Sequence, residues 1–175
     1  TLVGHFLPEA DPIHKVSIMP RGGALGITMQ LPKEDRLSMT TNYALNRIAI
    51  LMGGRCAEEI VFDDVTSGAS NDIQVATSMA HKMVCDWGMS RLGPLRYHRS
   101  SQTAFSAPGT EGMNYSEETA ERIDQEVKRI VDENYEVAKK ILVEHRDILD
   151  RVSEALIVWE TLDKHQVQDL VDGKD

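Results

Sequence analysis

The spacing of hydrophobic residues divides the chain into a first part with strand-like runs and a longer second part with a helical repeat. Two short stretches, "IHKVSIMP" and "LGITMQLP", are separated by "RGGA" and end at Pro20 and Pro32. This pattern is typical of two strands in a small sheet. The opening segment, "TLVGHFLPE", is densely apolar and is closed by Pro8, so we expect the last turns of a helix that begins further upstream.

The helical repeat starts soon after residue 38. It predicts a first long helix from about Thr40 to Val61, whose apolar stripe consists of Leu45, Ile48, Ala49, Met52, Cys56 and Ile60. Gly53 and Gly54 lie in the middle of this helix. Because a glycine in a helix interior costs about 1 kcal/mol relative to alanine, we expect another backbone to pack closely against them.

A second helix is predicted to open at Ser70, which we interpret as its N-cap, and to end near Trp87. Gly88 then suits the left-handed position that follows many helices. The polar stretch from about residue 90 to 115 contains several glycines and prolines. We expect it to form a long loop.

From residue 116 the chain contains neither glycine nor proline until Gly173. Apolar residues recur there at helical spacing, and the repeat consists of Ile123, Val127, Ile130, Val131, Ala138, Ile141, Leu142, Ile148, Leu149, Val152, Leu156 and Trp159. The polar segment "EHRDILDR" favours a break with Asp147 as a cap, which predicts a helical hairpin. The charges of "SEETAERIDQEVKR" are interpreted as a solvated helix face.

These elements predict a mainly α fold with a small β-hairpin or sheet near the N-terminus. With 175 residues, the chain has the length of a single compact domain. We expect four consecutive parts: a helix end plus small sheet (1–37), two helices (38–89), a loop (90–115) and a helical tail (116–172).

Composition narrows the classes of function. A formal net charge of −9 and a pI near 5.1 argue against nucleic acid as a partner, since phosphate binding needs an excess of Lys and Arg. The only two cysteines, Cys56 and Cys85, lie among apolar helix residues, so we expect neither a disulfide framework nor a cysteine zinc site. No apolar run of about 18 residues and no signal-peptide pattern occur, and we expect this segment to be soluble.

Asp72 is the residue with the most specific chemical interpretation. It follows Ser70 in "SGASNDIQVAT" and falls in the first turn of the second predicted helix. A carboxylate at this position is favourable beside the positive end of the helix dipole, which by itself is the simpler explanation. The alternative is that Asp72 binds a metal ion.

Several blocks of the sequence decide between these alternatives. The chain carries "LPEADPIHKVSIMPRGGALGITMQLP", then "GGRCAEEIVF", "TSGASNDIQVAT", "WGMSRLGPL" and "ETAERIDQEV". In this order they resemble the peptidase domain of the FtsH family of membrane-anchored, ATP-dependent zinc metalloproteases. Several independent blocks are a more specific signal than one short motif, and the resemblance covers nearly the whole chain.

The resemblance implies a zinc site that this chain completes. In the family, an H-E-x-G-H helix supplies two histidine ligands and the glutamate that activates water, and it directly precedes a segment like "TLVGHFLPE". That motif is absent from the 175 residues, so we expect a C-terminal peptidase domain truncated on its N-terminal side. The family's third ligand falls on Asp72, with Ser70 and Asn71 as possible groups that orient it.

Other residues compete less well for the metal. Glu58 and Glu59 form a pair on the first long helix, and we rank them below Asp72 because such pairs usually face solvent. No HExxH motif surrounds His5 or His14, and prolines interrupt any helix between them. We therefore assign both histidines as non-ligands.

The resemblance also implies how the complete enzyme works. We expect a homo-hexamer that binds one Zn²⁺ per protomer and degrades unfolded or membrane proteins, driven by an upstream AAA ATPase domain that binds the ATP. The full-length protein would be anchored in the bacterial inner membrane, or its organellar equivalent, with this domain on the cytoplasmic side. Gly26, Ile27 and Thr28 could offer a strand edge to an extended substrate, although a purely structural hairpin is an equally good interpretation.

Two consequences follow for this 175-residue chain. It lacks the H-E-x-G-H residues and any P-loop, so we expect it to be inactive alone as a protease and as an ATPase. The alternative function is a non-catalytic assembly module of a ring-forming paralogue. The residues immediately before Thr1 in the gene would distinguish the two.

Overall fold

The computed structural model describes residues 1–20, 22, 26–32, 38–97 and 115–174. Its elements, in chain order, are α1 (Leu2–Phe6), β1 (Ile13–Ser17), β2 (Ile27–Gln30), α2 (Thr41–Phe62), α3 (Ser70–Cys85), α4 (Glu117–Glu144), α5 (Arg146–Trp159), β3 (Thr161–Asp163) and α6 (Lys164–Val171). The mainly α fold with a small sheet near the N-terminus is confirmed. Within the described residues, no helix is both long enough and apolar enough to cross a membrane.

The sheet is antiparallel and has the strand order β2-β1-β3. The sequence predicted β1 and β2 but missed β3, which lies within the predicted helical tail. Three residues are too few for a period to appear, yet Leu162 is fully buried between two exposed neighbours. In the described structure β2 pairs on one side only, with β1, and is therefore an edge strand.

The first long helix, α2, is confirmed nearly to the residue. The side chain of Thr40 caps it by accepting a hydrogen bond from the N–H of Tyr43 (3.2 Å). It ends at Asp63, which adopts a left-handed conformation with φ 52°. One face of α2 packs against α3 and α4, and its buried residues are Ala44, Ile48, Ala49, Met52 and Cys56.

The two glycines of α2 have different surroundings. A Cβ atom on Gly53 would lie 3.0 Å from Cγ2 of Val3 in α1, so a side chain, and not the predicted backbone, approaches this position closely. A Cβ atom on Gly54 would have no described atom within 4 Å. Packing therefore accounts for Gly53 and leaves Gly54 facing open space.

Helix α1 packs against α2 and α4 and approaches β2 at Gly4. Val3 touches Gly53, whereas the carbonyl of Pro8, further along, accepts a hydrogen bond from Asn46, which lies earlier in α2. The two helices are thus antiparallel. On the other side, a Cβ atom on Gly4 would lie only 2.7 Å from Nε2 of Gln30 in β2, so any larger residue here would displace the Gln30 amide.

The start of α3 differs from the prediction. Ser70 is not the N-cap, because Ala69 occupies that position without a side-chain hydrogen bond. A single turn of 3₁₀ helix (Ser67–Ala69) precedes α3, and Thr66 caps that turn. The polar cap therefore lies four residues earlier than expected. The left-handed conformation predicted for Gly88 is confirmed, with φ 60°.

The helical tail also departs from the prediction in three ways. The break between α4 and α5 falls at His145, and Asp147 lies in the first turn of α5 and does not cap it. Helix α5 packs mainly against α6 and β3 instead of lying along α4, so the predicted hairpin is wrong. Trp159 is 57% exposed and does not belong to the buried stripe.

Part of the predicted loop lies outside the described residues, namely 98–114, as do 21, 23–25 and 33–37 in the first part of the chain. The described portion of the loop is anchored to helices at both ends. The N–H of Tyr97 donates to the carbonyl of Cys85 (2.9 Å), and the N–H of Arg91 donates to Glu126 (2.8 Å). Arg129 also forms a bidentate pair with Glu126, with distances of 2.8 and 2.6 Å.

The burial of α4 generates a stability prediction. Leu142 is 3% exposed and belongs to the core, whereas its neighbour Val143 is 56% exposed. We expect Leu142→Ala to lower the free energy of unfolding by about 2 to 5 kcal/mol, because it removes buried methyl groups and leaves a cavity. The matched control, Val143→Ala, should cost less than about 0.5 kcal/mol. Denaturant melts measure both, and equal losses would contradict this packing of α4.

The Glu126 contacts generate a pH prediction. Arg129 and the N–H of Arg91 hold the pKa of this carboxyl below its usual value. Its stabilising contribution is present above the unfolded-state pKa of about 4.3 and is lost as pH falls through the lower folded-state pKa. We expect Glu126→Gln to lower stability at pH 7 and to weaken the acid-induced loss of stability. Urea melts between pH 3 and pH 7 test this, and parallel pH profiles for both proteins would refute it.

Candidate functional site

A cleft of about 440 Å³ brings together the residues that the sequence singled out. Its walls come from β2, from one face of α2 and from the first turn of α3, and it is lined by Thr1, Val16, Gly26, Ile27, Thr28, Gln30, Arg47, Ile50, Leu51, Gly54 and Asp72. The candidate metal ligand, Asp72, thus shares a cleft with the candidate substrate strand, although more than 40 residues separate them in sequence. This shared cleft is the candidate functional site.

Asp72 is positioned by the turn that precedes α3. Glu58, near the end of α2, accepts two hydrogen bonds from Thr66, one from its hydroxyl (2.7 Å) and one from its N–H (3.2 Å). These bonds hold the pKa of Glu58 below its usual value. Thr66 in turn accepts from the N–H of Gly68 (3.1 Å). The end of α2 therefore fixes the chain from which the first turn of α3 starts.

The negative charge of the Asp72 carboxylate is poorly compensated by its surroundings. It is half-buried, and among the described residues it forms neither a hydrogen bond nor an ion pair. Burial raises its pKa above the usual aspartate value. A carboxylate that caps a helix accepts backbone hydrogen bonds, which lower its pKa. The direction of this shift is opposite to the one expected of a helix-capping carboxylate.

The neighbours expected to orient Asp72 form no described hydrogen bond with it. Ser70 and Asn71 are exposed, and within the described structure no hydrogen bond joins either side chain to Asp72. The same part of the chain contains no group of three or more His, Cys, Asp or Glu residues that could hold a metal ion. Asp72 would therefore need ligands from elsewhere to complete a site.

The competing glutamates are engaged in structural contacts. Glu58 binds Thr66, as described above. Glu59 accepts hydrogen bonds from the hydroxyl of Tyr135 and from Nζ of Lys139 (2.7 Å), both on α4. These bonds keep the pKa of Glu59 below its usual value. The pair fastens α2 to its surroundings and does not line the cleft.

The two histidines considered in the sequence also lie outside the cleft. His5 packs against Phe6, whose ring stacks on His145, and burial lowers the pKa of His5. His14 is exposed on β1. A neighbouring cleft of about 320 Å³ includes His5 and Asp11, but Asp11 already accepts a hydrogen bond from the hydroxyl of Tyr43 (2.6 Å).

The candidate substrate residues lie on the exposed edge strand. Gly26, Ile27 and Thr28 are all exposed, with 44% of Ile27 accessible. Thr28 forms a hydroxyl–hydroxyl hydrogen bond with Thr1 at 2.8 Å. A Cβ atom on Gly26 would come within 2.9 Å of the Ser17 carbonyl, so this position needs glycine. The cleft side of β2 is thus available to an extended chain.

The sequence analysis missed two polar residues of the cleft, Arg47 and Gln30. Arg47 lies on the same face of α2 as Ile50, Leu51 and Gly54, since these positions follow the i, i+3, i+4, i+7 spacing. That spacing was visible in the sequence as a second stripe, but it did not reveal that the stripe faces β2.

Comparison with known proteins identifies the family of the chain. The model of Peptidase family M41 matches residues 1–170. The chain is 47% identical over 175 residues to "ATP-dependent zinc metalloprotease FtsH 1" of Bdellovibrio bacteriovorus, covering 99% of this chain and 27% of the relative. It is 50% identical to "ATP-dependent zinc metalloprotease FtsH" of Magnetococcus marinus, covering 99% of this chain and 26% of the relative.

A third relative, "ATP-dependent zinc metalloprotease FtsH" of Akkermansia muciniphila, is 49% identical over 168 residues, which are 94% of this chain and 21% of the relative. The chain therefore spans about a quarter of the length of these relatives. The family match extends through all the elements that build the cleft. The chain thus belongs to peptidase family M41 and is a peptidase domain of the FtsH family.

Proposed function

We propose that the chain is the C-terminal peptidase domain of an ATP-dependent zinc metalloendopeptidase and that Asp72 is one of its metal ligands. The observation that carries the proposal is the half-buried carboxylate of Asp72, which has no partner among the described residues and shares a cleft with an exposed strand edge. Carboxylate oxygen is a regular ligand for catalytic zinc. The names of the relatives, all zinc metalloproteases, support the choice of metal.

The remaining ligands would come from an H-E-x-G-H helix directly before Thr1. Helix α1 runs antiparallel to α2, with Val3 beside Gly53. A helix that continued α1 upstream would therefore pass Gly54, whose missing side chain leaves room for it. Histidines at positions i and i+4 of such a helix share one face and can hold a single ion together with Asp72.

The chemistry then divides between the metal and the protein. Zinc held by Asp72 and the upstream histidines would supply a Lewis acid for the scissile carbonyl and for the activation of water. Asp72 supplies a negative charge and an oxygen ligand, and the Glu58–Thr66 hydrogen bonds keep its helix turn in place. The edge of β2 at Gly26, Ile27 and Thr28 would pair with an extended substrate through main-chain hydrogen bonds.

The substrate class follows from this mode of binding. A strand edge recognises the backbone of any extended segment, so unfolded proteins and segments extracted from membranes fit best. Delivery of such segments requires the upstream AAA ATPase domain, which hydrolyses ATP, and a homo-hexameric ring anchored in the membrane. The relatives' description as "ATP-dependent" and the small share of each relative that this chain covers support these further parts.

A second candidate function is assembly without catalysis. It is favoured by the end of α5, where Ile157, Val158 and Trp159 are 74%, 72% and 57% exposed. Consecutive exposed apolar residues are typical of contact surfaces. The sequence preceding Thr1 distinguishes the two functions, because only a peptidase needs H-E-x-G-H there.

The first functional prediction concerns the chain alone. We expect the purified 175-residue chain to hydrolyse no casein-like substrate, with or without added zinc, because it lacks the water-activating glutamate and the two histidine ligands. Release of fluorescent peptides from labelled casein is the measurement. Zinc-dependent turnover that persists after removal of contaminating proteases would contradict the prediction.

The second functional prediction compares two carboxylates in a longer protein that includes the upstream segment. Asp72→Asn should greatly reduce the zinc content and abolish peptide cleavage, because a neutral amide is a poor substitute for an anionic oxygen ligand. Glu59→Gln is the matched control and should retain zinc, since Glu59 contacts α4 instead of the cleft. Zinc content and cleavage are measured side by side.

Stability separates a metal ligand from a helix cap. Without metal, the free energy of unfolding of Asp72→Asn should lie within about 1 kcal/mol of the wild-type value. The substitution loses a favourable contact with the helix dipole, but it also removes a poorly solvated charge. Zinc affinity of the wild type should fall as pH decreases, because protons compete for a carboxyl whose pKa burial has raised. Full zinc and activity in Asp72→Asn, with loss in Glu59→Gln, would move the ligand to α2.

A further inference from the structure

The cleft contains a positively charged side chain, that of Arg47, which has no part in the proposed zinc chemistry. Arg47 lines the cleft from α2, and its Nη1 donates a hydrogen bond to Oε1 of Gln30 on β2 (3.2 Å). Gln30 is itself oriented, because its Nε2 donates to the backbone carbonyl of Asp11 (2.9 Å). The absence of a side chain at Gly4 lets Gln30 cross above α1 to reach Arg47. The guanidinium is therefore held in a defined direction.

The Arg47 guanidinium has unused binding capacity. It is half-buried, and no carboxylate of the described residues lies within 4 Å of it. Only one of its five N–H donors has a described protein acceptor. By contrast, Arg129, Arg146 and Arg151, on α4 and α5, each pair with a carboxylate on their own helix. A positioned guanidinium without an anionic partner is suited to bind a carboxylate from another molecule.

The cleft has a positive and a negative end. Arg47 and Gly54 are seven residues apart on one face of α2, which corresponds to roughly 10 Å along the helix axis. Asp72 lies toward the Gly54 end, because the turn before α3 is tied to Glu58 and a Cβ atom on Gly68 would lie 3.6 Å from that glutamate. Ile50 and Leu51 form the apolar wall between the two ends.

We propose that Arg47 is a specificity-determining residue that binds an acidic side chain of the substrate about three residues from the bond that is cleaved. An extended chain advances about 3.3 Å per residue, so roughly 10 Å corresponds to three residues along the edge of β2. Gln30 is the positioning residue that orients the guanidinium. This inference rests on the proposed function for the location of the cleaved bond, but not for the binding of an acidic side chain in the cleft.

The experiment uses the full-length protein in two forms, metal-free for binding and zinc-loaded for cleavage. Fluorescein-labelled peptides carry Glu, Gln or Lys at each of the four positions on both sides of one cleavable bond. Fluorescence anisotropy gives the Kd for the metal-free protein, and product formation gives kcat/KM for the loaded enzyme. The variants are Arg47→Gln, Arg47→Lys, Arg47→Glu and Gln30→Met, with Arg122→Gln as a control for net charge, since Arg122 is exposed on α4.

We expect the wild type to bind the Glu peptide at least about tenfold more tightly than the Gln peptide when the substitution lies about three residues from the bond on one side. Arg47→Gln should abolish this preference, Arg47→Lys should retain part of it, and Arg47→Glu should favour Lys at the same position. Gln30→Met should reduce the preference while preserving the charge. Arg122→Gln should behave as the wild type.

The outcomes separate this inference from the proposed function. A Glu preference that is absent from the wild type, or unchanged in Arg47→Gln, would overturn the role of Arg47 even if zinc-dependent cleavage is normal. A preference at all eight positions alike would also overturn it, since that result would reflect general charge attraction. If the protein neither retains zinc nor cleaves any peptide, the proposed function fails, and the anisotropy measurement still decides whether Arg47 binds the acidic side chain.

Discussion

The close approach of α1 to both α2 and β2 is the constraint on which the candidate site depends. Gly4 permits it on the side of the sheet, and Gly53 permits it on the side of the long helix. A larger residue at either position would displace the neighbouring side chain, Gln30 or Val3, because its atoms would lie 2.7 to 3.0 Å from the new Cβ atom. The small residues of this region thus let α1 pack close to the strand and the helix that line the cleft.

The electrostatic surroundings of Asp72 differ from those of the nearby glutamates. Asp72 has a pKa raised by burial and no hydrogen bond or ion pair among the described residues. Glu58 and Glu59, the two other carboxylates near this end of α2, have hydrogen-bond partners and lowered pKa values. Perturbed and unpaired ionisable groups concentrate at functional sites, and this contrast within one region is the electrostatic basis for proposing Asp72 as a metal ligand.

The exposed edge of β2 and the charged residues Arg47 and Asp72 line one cleft. The edge of β2 offers backbone groups that are indifferent to sequence, whereas Arg47 at one end of the cleft offers a contact that depends on the side chain. A peptidase that accepts many unfolded chains still needs such contacts to position one bond for cleavage. General backbone recognition and local selectivity would thus reside on opposite walls of the same cleft.

The sequence by itself determined the local elements and the family. A sustained helical period predicted α2, and ordered motif blocks identified the peptidase family and singled out Asp72. Only the tertiary structure decided which distant residues meet, such as Arg47 with Gln30, and it showed that Trp159 is exposed and that β3 interrupts the helical tail. The physical reason is that capping and periodicity act over a few neighbouring residues, whereas a cleft is defined by packing between segments that the local pattern does not relate.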